Sequence, residues 1–349
     1  MDAKEIGGGS GRRTPSDAAR PTRRRLVLMA LIVACLPPAG VDAQAPGKPY
    51  RIAVMTFPTL PSPPPPSPDL DIFRQAMREL GWIEGQKFVI DRRSSERQRL
   101  DELAQAIVRD RPDLIFAPST AATLSAKKAT STIPIVMLSS DPIAGGVVDN
   151  LSHPGGNVTG LSLASVEVTA KRLELLKQAV PRLQHVVLIL PLGGGSPSEA
   201  AWIKESETAA KTLGVKVQIA RVEGAERWDT DFARLRADGA DAIIVTENPR
   251  WTPQSRHIVA AALKHRLPSI FASKLHVENG ALMSYGPDAD ERWRRAAAMV
   301  DKILRGAKPA DLPIEQPTKF ELALNLRTAR AIGLEIPSAL RVRATDVIE

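Results

Sequence analysis

A chain of 349 residues with 43% hydrophobic and 25% charged residues has the balance of an ordinary globular protein and enough length for two lobes, each with its own core. The net charge of +8 is partly a property of the amino terminus, since residues 1–43 hold seven Lys/Arg against four Asp/Glu and the remainder holds 40 against 35. That scattered excess, with only 4% aromatic residues and no basic run interleaved with aromatics, argues against a nucleic-acid role.

In chain order, the first feature is a leader. Arg23, Arg24 and Arg25 precede an apolar run over 26–36, and Pro37, Pro38 and Gly40 then break any helix. This layout predicts a signal peptide over 1–43, cut before Gln44, and a periplasmic mature chain. The eleven apolar residues fall short of the roughly 20 that a permanent span requires. Cys35, the single cysteine, follows Ile32, Val33 and Ala34 at a spacing like that of a lipoprotein acylation site, or else simply fills the apolar run. Either way the mature fold has no internal disulfide. The stretch from Thr22 to Leu26 matches a twin-arginine signal or a plain basic flank.

Beyond the leader the pattern alternates. Strands are predicted over 51–57, 88–91, 113–119 and 133–138, with helices over 69–80, 100–110 and 120–129 between them. Strand, helix, strand at this spacing predicts a parallel, doubly wound α/β sheet. A second set follows, with helices over 166–180, 198–213, 229–237 and 255–265 and strands over 185–191, 216–222, 242–248 and 269–273. A third block comprises 281–286, a helix over 290–304 and a last helix over 322–332. The resulting expectation is lobe 1 from 50–161 and 280–311, and lobe 2 from 162–279 and 312–345, with three passages between them. Residues 58–68 contain seven prolines and must form a loop, either a tolerated insertion or a lid at the rim of the ligand-binding edge.

Residues suited to chemistry are sparse. The five histidines make no metal or triad spacing, and there is neither an H-E-x-x-H pair nor a C-x-x-C, so no cofactor and no enzyme activity is expected. Gly193, Gly194, Gly195 and Ser196 follow a strand but lack the Lys-Ser/Thr pair of a phosphate loop. Binding is better supported, because in open α/β sheets ligands sit beyond the carboxyl ends of strands. Thr56, Ser119, Thr120, Ser140, Asp141, Asn248 and Ser273 all fall at such ends, and Tyr285 is an aromatic available for stacking, as are Phe57, Trp251 and Phe271, the last of them best suited to plain core. Ser119 and Thr120 open a helix, where they either cap it or help hold an anion. Asp141 precedes a proline and either receives an ammonium or hydroxyl group or makes a turn.

Several stretches resemble one family. Asp141-Pro142, the run from His153 to Leu161 (HPGGNVTGL) and the run from Lys171 to Lys177 (KRLELLK) are similar to substrate-binding proteins of ABC transporters with the type I periplasmic-binding-protein fold. So are the runs from Ala126 to Val136, Gly280 to Gly286, Asp301 to Pro309 and Leu312 to Leu322. The resemblance implies two Rossmann-like lobes joined by three crossovers and closing on a small polar, amino-acid-like ligand. It also implies partnership with an ABC permease and its ATPase; a monomer is expected, meeting the membrane only if Cys35 is acylated. A sensor for a signalling receptor is the alternative role. Two departures fall near the expected cleft: Arg92-Arg93-Ser94-Ser95-Glu96 where many relatives have an aromatic-Ala-Glu-Gly stretch, and Asn248-Pro249 where they often have Asp-Pro.

Overall fold

In a computed structural model, described over residues 48–58, 60–61, 64–193, 197–224 and 227–349, the short apolar runs pair into two sheets. The leader, Cys35, the arginine motif and residues 194–196 lie outside the described residues. The first sheet takes β1 (Tyr50–Thr56), β2 (Phe88–Ser94), β3 (Leu114–Ala117), β4 (Ile135–Ser139) and β5 (Val158–Ser162), all parallel, in the order β2-β1-β3-β4-β5. Its crossover helices are α1 (Pro68–Glu79), α2 (Leu100–Arg109) and α3 (Thr120–Ala129). The helix starts are written locally. Ser67 accepts from the amide of Leu70, Pro68 occupies the first turn, and Asp69 and Asp71 favour the positive helix end.

The second set runs α4 (Ser165–Ala179), β6 (His185–Pro191), α5 (Pro197–Leu213), β7 (Lys216–Val222), α6 (Trp228–Ala237), β8 (Ala242–Val245), α7 (Ser255–Lys264), β9 (Ser269–Phe271), α8 (Lys274–Glu278) and β10 (Met283–Pro287). The chain then forms α9 (Ala289–Leu304), β11 (Phe320–Asn325), α10 (Leu326–Ala331), α11 (Ser338–Arg343) and β12 (Asp346–Ile348). The second sheet has the order β12-β11-β10-β9-β8-β6-β7. Its β7-β6-β8-β9-β10 portion repeats the winding of the first sheet, and only the β10–β11 pair is antiparallel.

Both sheets are covered on both faces, as parallel sheets require. In the first, Phe73 and Met77 of α1 meet Trp293 and Val300 of α9 on one face, and α2 and α3 supply Leu100, Ile107, Ala122 and Ala126 on the other. Phe116 sits between Phe73 and Trp293, with ring centroids 5.3 Å from each. The second sheet packs Leu173, Leu176 and Trp202 on one face and Phe232 and Ile258 on the other.

The chain passes between the sheets three times. It leaves β5 through Ala164, whose φ of +48° is unusual for a residue with a Cβ, and enters α4. It returns at Asp288, and makes the last passage over residues 316–319. These last two passages are bonded side by side: the Asp288 amide donates to the Lys319 carbonyl (3.1 Å), and the Lys319 ammonium lies 2.5 Å from the Asp288 carboxylate. Burial opposes ionisation of Asp288. The Lys319 charge and the amides of Glu291 and Asp290 together outweigh it and hold the carboxyl below the usual range.

Two expectations need correction. Residues 283–287 are β10, paired with β9 and β11 in the second sheet, so the return to lobe 1 comes at Asp288 rather than at 280. Lobe 1 then keeps the chain as far as Glu315, whose backbone bonds Gly160 and Ser162 at the edge of β5. The helix expected over 322–332 is instead β11 followed by α10. Pairing with β10 draws 320–325 into the sheet, and Asn325 then caps the helix by accepting from the Thr328 amide (2.9 Å).

Gly160→Ala should cost at least about 2 kcal/mol in urea unfolding, because the φ is +139° and an added Cβ would sit 2.2 Å from the Met137 carbonyl oxygen. Asp288→Asn keeps the cap but loses the ion pair, and should cost about 1 kcal/mol at pH 7 given the solvated Lys319. A lowered folded pKa contributes stability above the unfolded value and loses it as pH falls through the folded value. The deficit of Asp288→Asn should therefore vanish in unfolding curves taken in acid.

Candidate functional site

Because every parallel strand of a sheet ends at the same edge, the two sheets present their carboxyl ends to a common cavity of about 540 Å³. Thr56 at the end of β1, Ser119 after β3, Ser140 after β4, Asn248 after β8 and Ser273 after β9 all line it. Phe57 and Trp251 also line it, while Phe271 is core.

Three expected residues lie off its wall. The Thr120 hydroxyl is 2.9 Å from that of Ser139 and accepts from the Ser140 amide, so it shapes the loop that carries Ser140. The Asp141 carboxylate accepts from the amides of Ile143 and Ala144, the turn alternative for Asp-Pro. The Tyr285 ring stacks on Phe320, 5.8 Å between centroids. Ser119 caps α3 through the Ala122 amide (3.2 Å) and also lines the cavity. The proline segment contributes Pro58, Pro65 and Pro66 to the wall. It is tied to β2, with the Leu60 amide donating to Ser94 Oγ and Arg92 Nη1 to the Pro65 carbonyl, each at 2.8 Å.

Charged groups that the strand-end reading did not include also line the cleft. Glu247, two residues beyond β8, accepts from Arg292 Nη1 (3.2 Å) on α9 and from Ser165 Oγ (3.2 Å) at the start of α4. Arg292 packs with the first lobe and Glu247 extends from the second sheet, so this pair bridges the cavity. Asp69 at the start of α1 also lines it. Its carboxyl is pushed up by burial and by the Glu247 charge, partly offset by Arg292 and the Trp293 indole N–H. Behind Glu247, Arg172 is 1% exposed and donates from Nε to the Tyr285 carbonyl (2.7 Å). Burial pushes its guanidinium down to about 10, with Glu247 and Tyr285 acting in the opposite direction, so it remains a cation at neutral pH.

Glu247 stands beside the expected Asn248, and its carboxylate at a strand end was the available signal. Asp69 and Arg292 belong to helices rather than strand ends, and only the tertiary fold turns them inward.

The arrangement can hold a small molecule that carries both charges, with apolar walls from Leu138, Leu163, Trp251 and Trp293. Replacing Arg292 with Gln leaves Glu247 half-buried without its counter-ion and should cost about 1–3 kcal/mol in urea unfolding. It should also raise the radius of gyration in solution scattering, with Arg292→Lys closer to the parent. Unchanged unfolding and scattering would show that the pair does not tie the lobes.

Comparison with known proteins agrees with this geometry. A family profile described as ABC transporter substrate binding protein matches residues 69–348. A "Tyrosine-binding protein" of Clostridioides difficile (strain R20291) is 25% identical over 282 residues, which is 78% of each chain. Among solved structures, a conserved domain protein from Vibrio cholerae superposes with a TM-score of 0.76 at 25% identity, over 86% of this chain and all of that one. An ABC domain from Streptococcus pneumonia in complex with L-Trp gives 0.75 at 24% identity, with the same coverage. The family is one of substrate-binding proteins rather than enzymes. Such proteins typically work outside the cytoplasm, and no helix among the described residues is long and apolar enough to cross a membrane. Two similarly wound lobes about one cavity, matched over most of their length, place the result beyond composition alone: the chain belongs to the ABC transporter substrate binding protein family.

Proposed function

We propose that the protein captures a free amino acid, preferably one with a large side chain, and delivers it to an ABC permease for import. The observation that carries this reading is the cross-cleft pair of Glu247 and Arg292 within mainly apolar walls. An amino acid needs an anion for its ammonium, a cation or hydroxyl donors for its carboxylate, and an apolar wall for its side chain. Glu247 and Asp69 suit the first. Arg292 with the hydroxyls of Ser119 and Ser140 suits the second, and Trp251, Trp293 and Leu163 suit the third. Thr56, Asn248 and Ser273 complete the polar rim. The tyrosine-binding relative supports the ligand class.

Binding would draw the lobes together, because contacts to both Glu247 and Arg292 exist only when the two sides meet. The signal-peptide reading of residues 1–43 supports periplasmic work: cleavage before Gln44 would release a free chain, whereas cleavage before Cys35 would leave a lipid on that residue as the membrane attachment.

Thermal melts of dialysed protein against the individual amino acids test the ligand class. A true ligand at about 100 times its Kd should add about 2.7 kcal/mol of stability, enough to raise Tm by several degrees. Scattering should then show a more compact particle. A sugar or nucleoside that shifts Tm while every amino acid leaves it unmoved would overturn the assignment.

A further inference from the structure

His276, on α8, is a cavity-lining histidine that the binding roles above do not use. It is 7% exposed, its ring stacks on Phe271 with centroids 4.4 Å apart, and its Nδ1 lies 2.7 Å from Ser255 Oγ. Ser255 Oγ in turn accepts from Asn279 Nδ2 (2.9 Å). The Asn279 amide is oriented by Arg256, whose Nε, a donor only, faces Asn279 Oδ1 at 3.5 Å.

The chain of bonds decides where the imidazole proton sits. With its oxygen occupied by the Asn279 donor, the Ser255 hydroxyl has one proton left to place, and Nδ1 is the acceptor beside it. A proton on Nδ1 would instead fill both lone pairs of that oxygen and leave the hydroxyl proton without an acceptor among the described residues. Burial pushes the ring down to about 4, so it is neutral at physiological pH and carries its one proton on Nε2. Among the described residues nothing bonds to Nε2, and Nε2 is not among the buried polar atoms that lack a partner. It is therefore accessible, and the cavity is the space that His276 faces.

We infer that His276 presents a fixed Nε2–H donor to the ligand, and that the ligand's side chain carries an oxygen acceptor to meet it. This rests on the amino-acid reading of the cavity and narrows it. The charged groups that suit the α-ammonium and α-carboxylate are Asp69, Glu247 and Arg292, whereas the imidazole is neutral and backed by Phe271, which suits an uncharged hydroxyl or carbonyl. Ser255 and Asn279 are positioning residues that act through His276.

The test compares L-tyrosine with L-phenylalanine, which differ by one oxygen, in calorimetric titrations of the full chain. A site built to bond an oxygen discriminates strongly against the analogue lacking it. The parent should prefer tyrosine by at least about tenfold. His276→Leu should bring the ratio to about one, His276→Gln, with an amide N–H of similar reach, should restore part of it, and Ser255→Ala should lower it part-way. Equal affinities in the parent, or a preference that survives His276→Leu, would overturn the inference. The ¹⁵N shifts of the His276 ring in ligand-free protein give a reading that does not depend on the ligand. A neutral Nε2–H form at pH 7 supports the inference, and an Nδ1–H or cationic ring overturns it. If neither amino acid binds, the melts against the remaining amino acids decide the ligand class proposed above, and the ¹⁵N result alone decides the state of His276.

Discussion

Parallel pairing is the constraint on which the rest of this structure depends. Strands that run the same way must end at the same edge, so every loop that follows a strand opens on one side of its sheet. Two sheets wound in the same order therefore bring the loops after β1, β3, β4, β5, β8 and β9 to one space. No motif has to be placed there by a special local structure. Ser119, Ser140, Asn248 and Ser273 reach the cavity because the strands before them end there.

That arrangement leaves the charges in a shared, partly desolvated setting. Glu247 lies within the field of two cations: Arg292 across the cavity and Arg172 buried behind it. Its negative charge keeps Arg172 tolerable in the interior, since an isolated buried guanidinium would carry a desolvation cost of several kcal/mol. The same charge discourages ionisation of Asp69. The cleft thus holds a small excess of polar demand, which suits a ligand that brings its own ammonium and carboxylate.

The sequence reading recovered what repeats and lost what depends on context. Alternating apolar strands and helices from Arg51 to Ser273 made the doubly wound lobes legible, because period and burial are local properties. The segment from Leu322 to Ile332 was misread as a single helix, since its composition suits one and only the antiparallel partner Met283–Pro287 makes the strand preferable. The same missing partner put residues 280–287 in the wrong lobe. In the site, strand-end hydroxyls were found by position, whereas Asp69, Arg292 and His276 sit on helices and enter the cavity by packing. Asp141 illustrates the converse: a carboxylate at a strand end, correctly placed in sequence, is consumed by its own turn.

The bond between Asp288 and Lys319 makes two of the three passages behave as one strap. The lobes then have two attachments rather than three: this strap and the passage at Ala164. A body held at two points keeps one rotation, about the line that joins them. Opening would follow that single arc, sliding or twisting of one lobe on the other would be resisted, and each closure would return Glu247 to the same guanidinium.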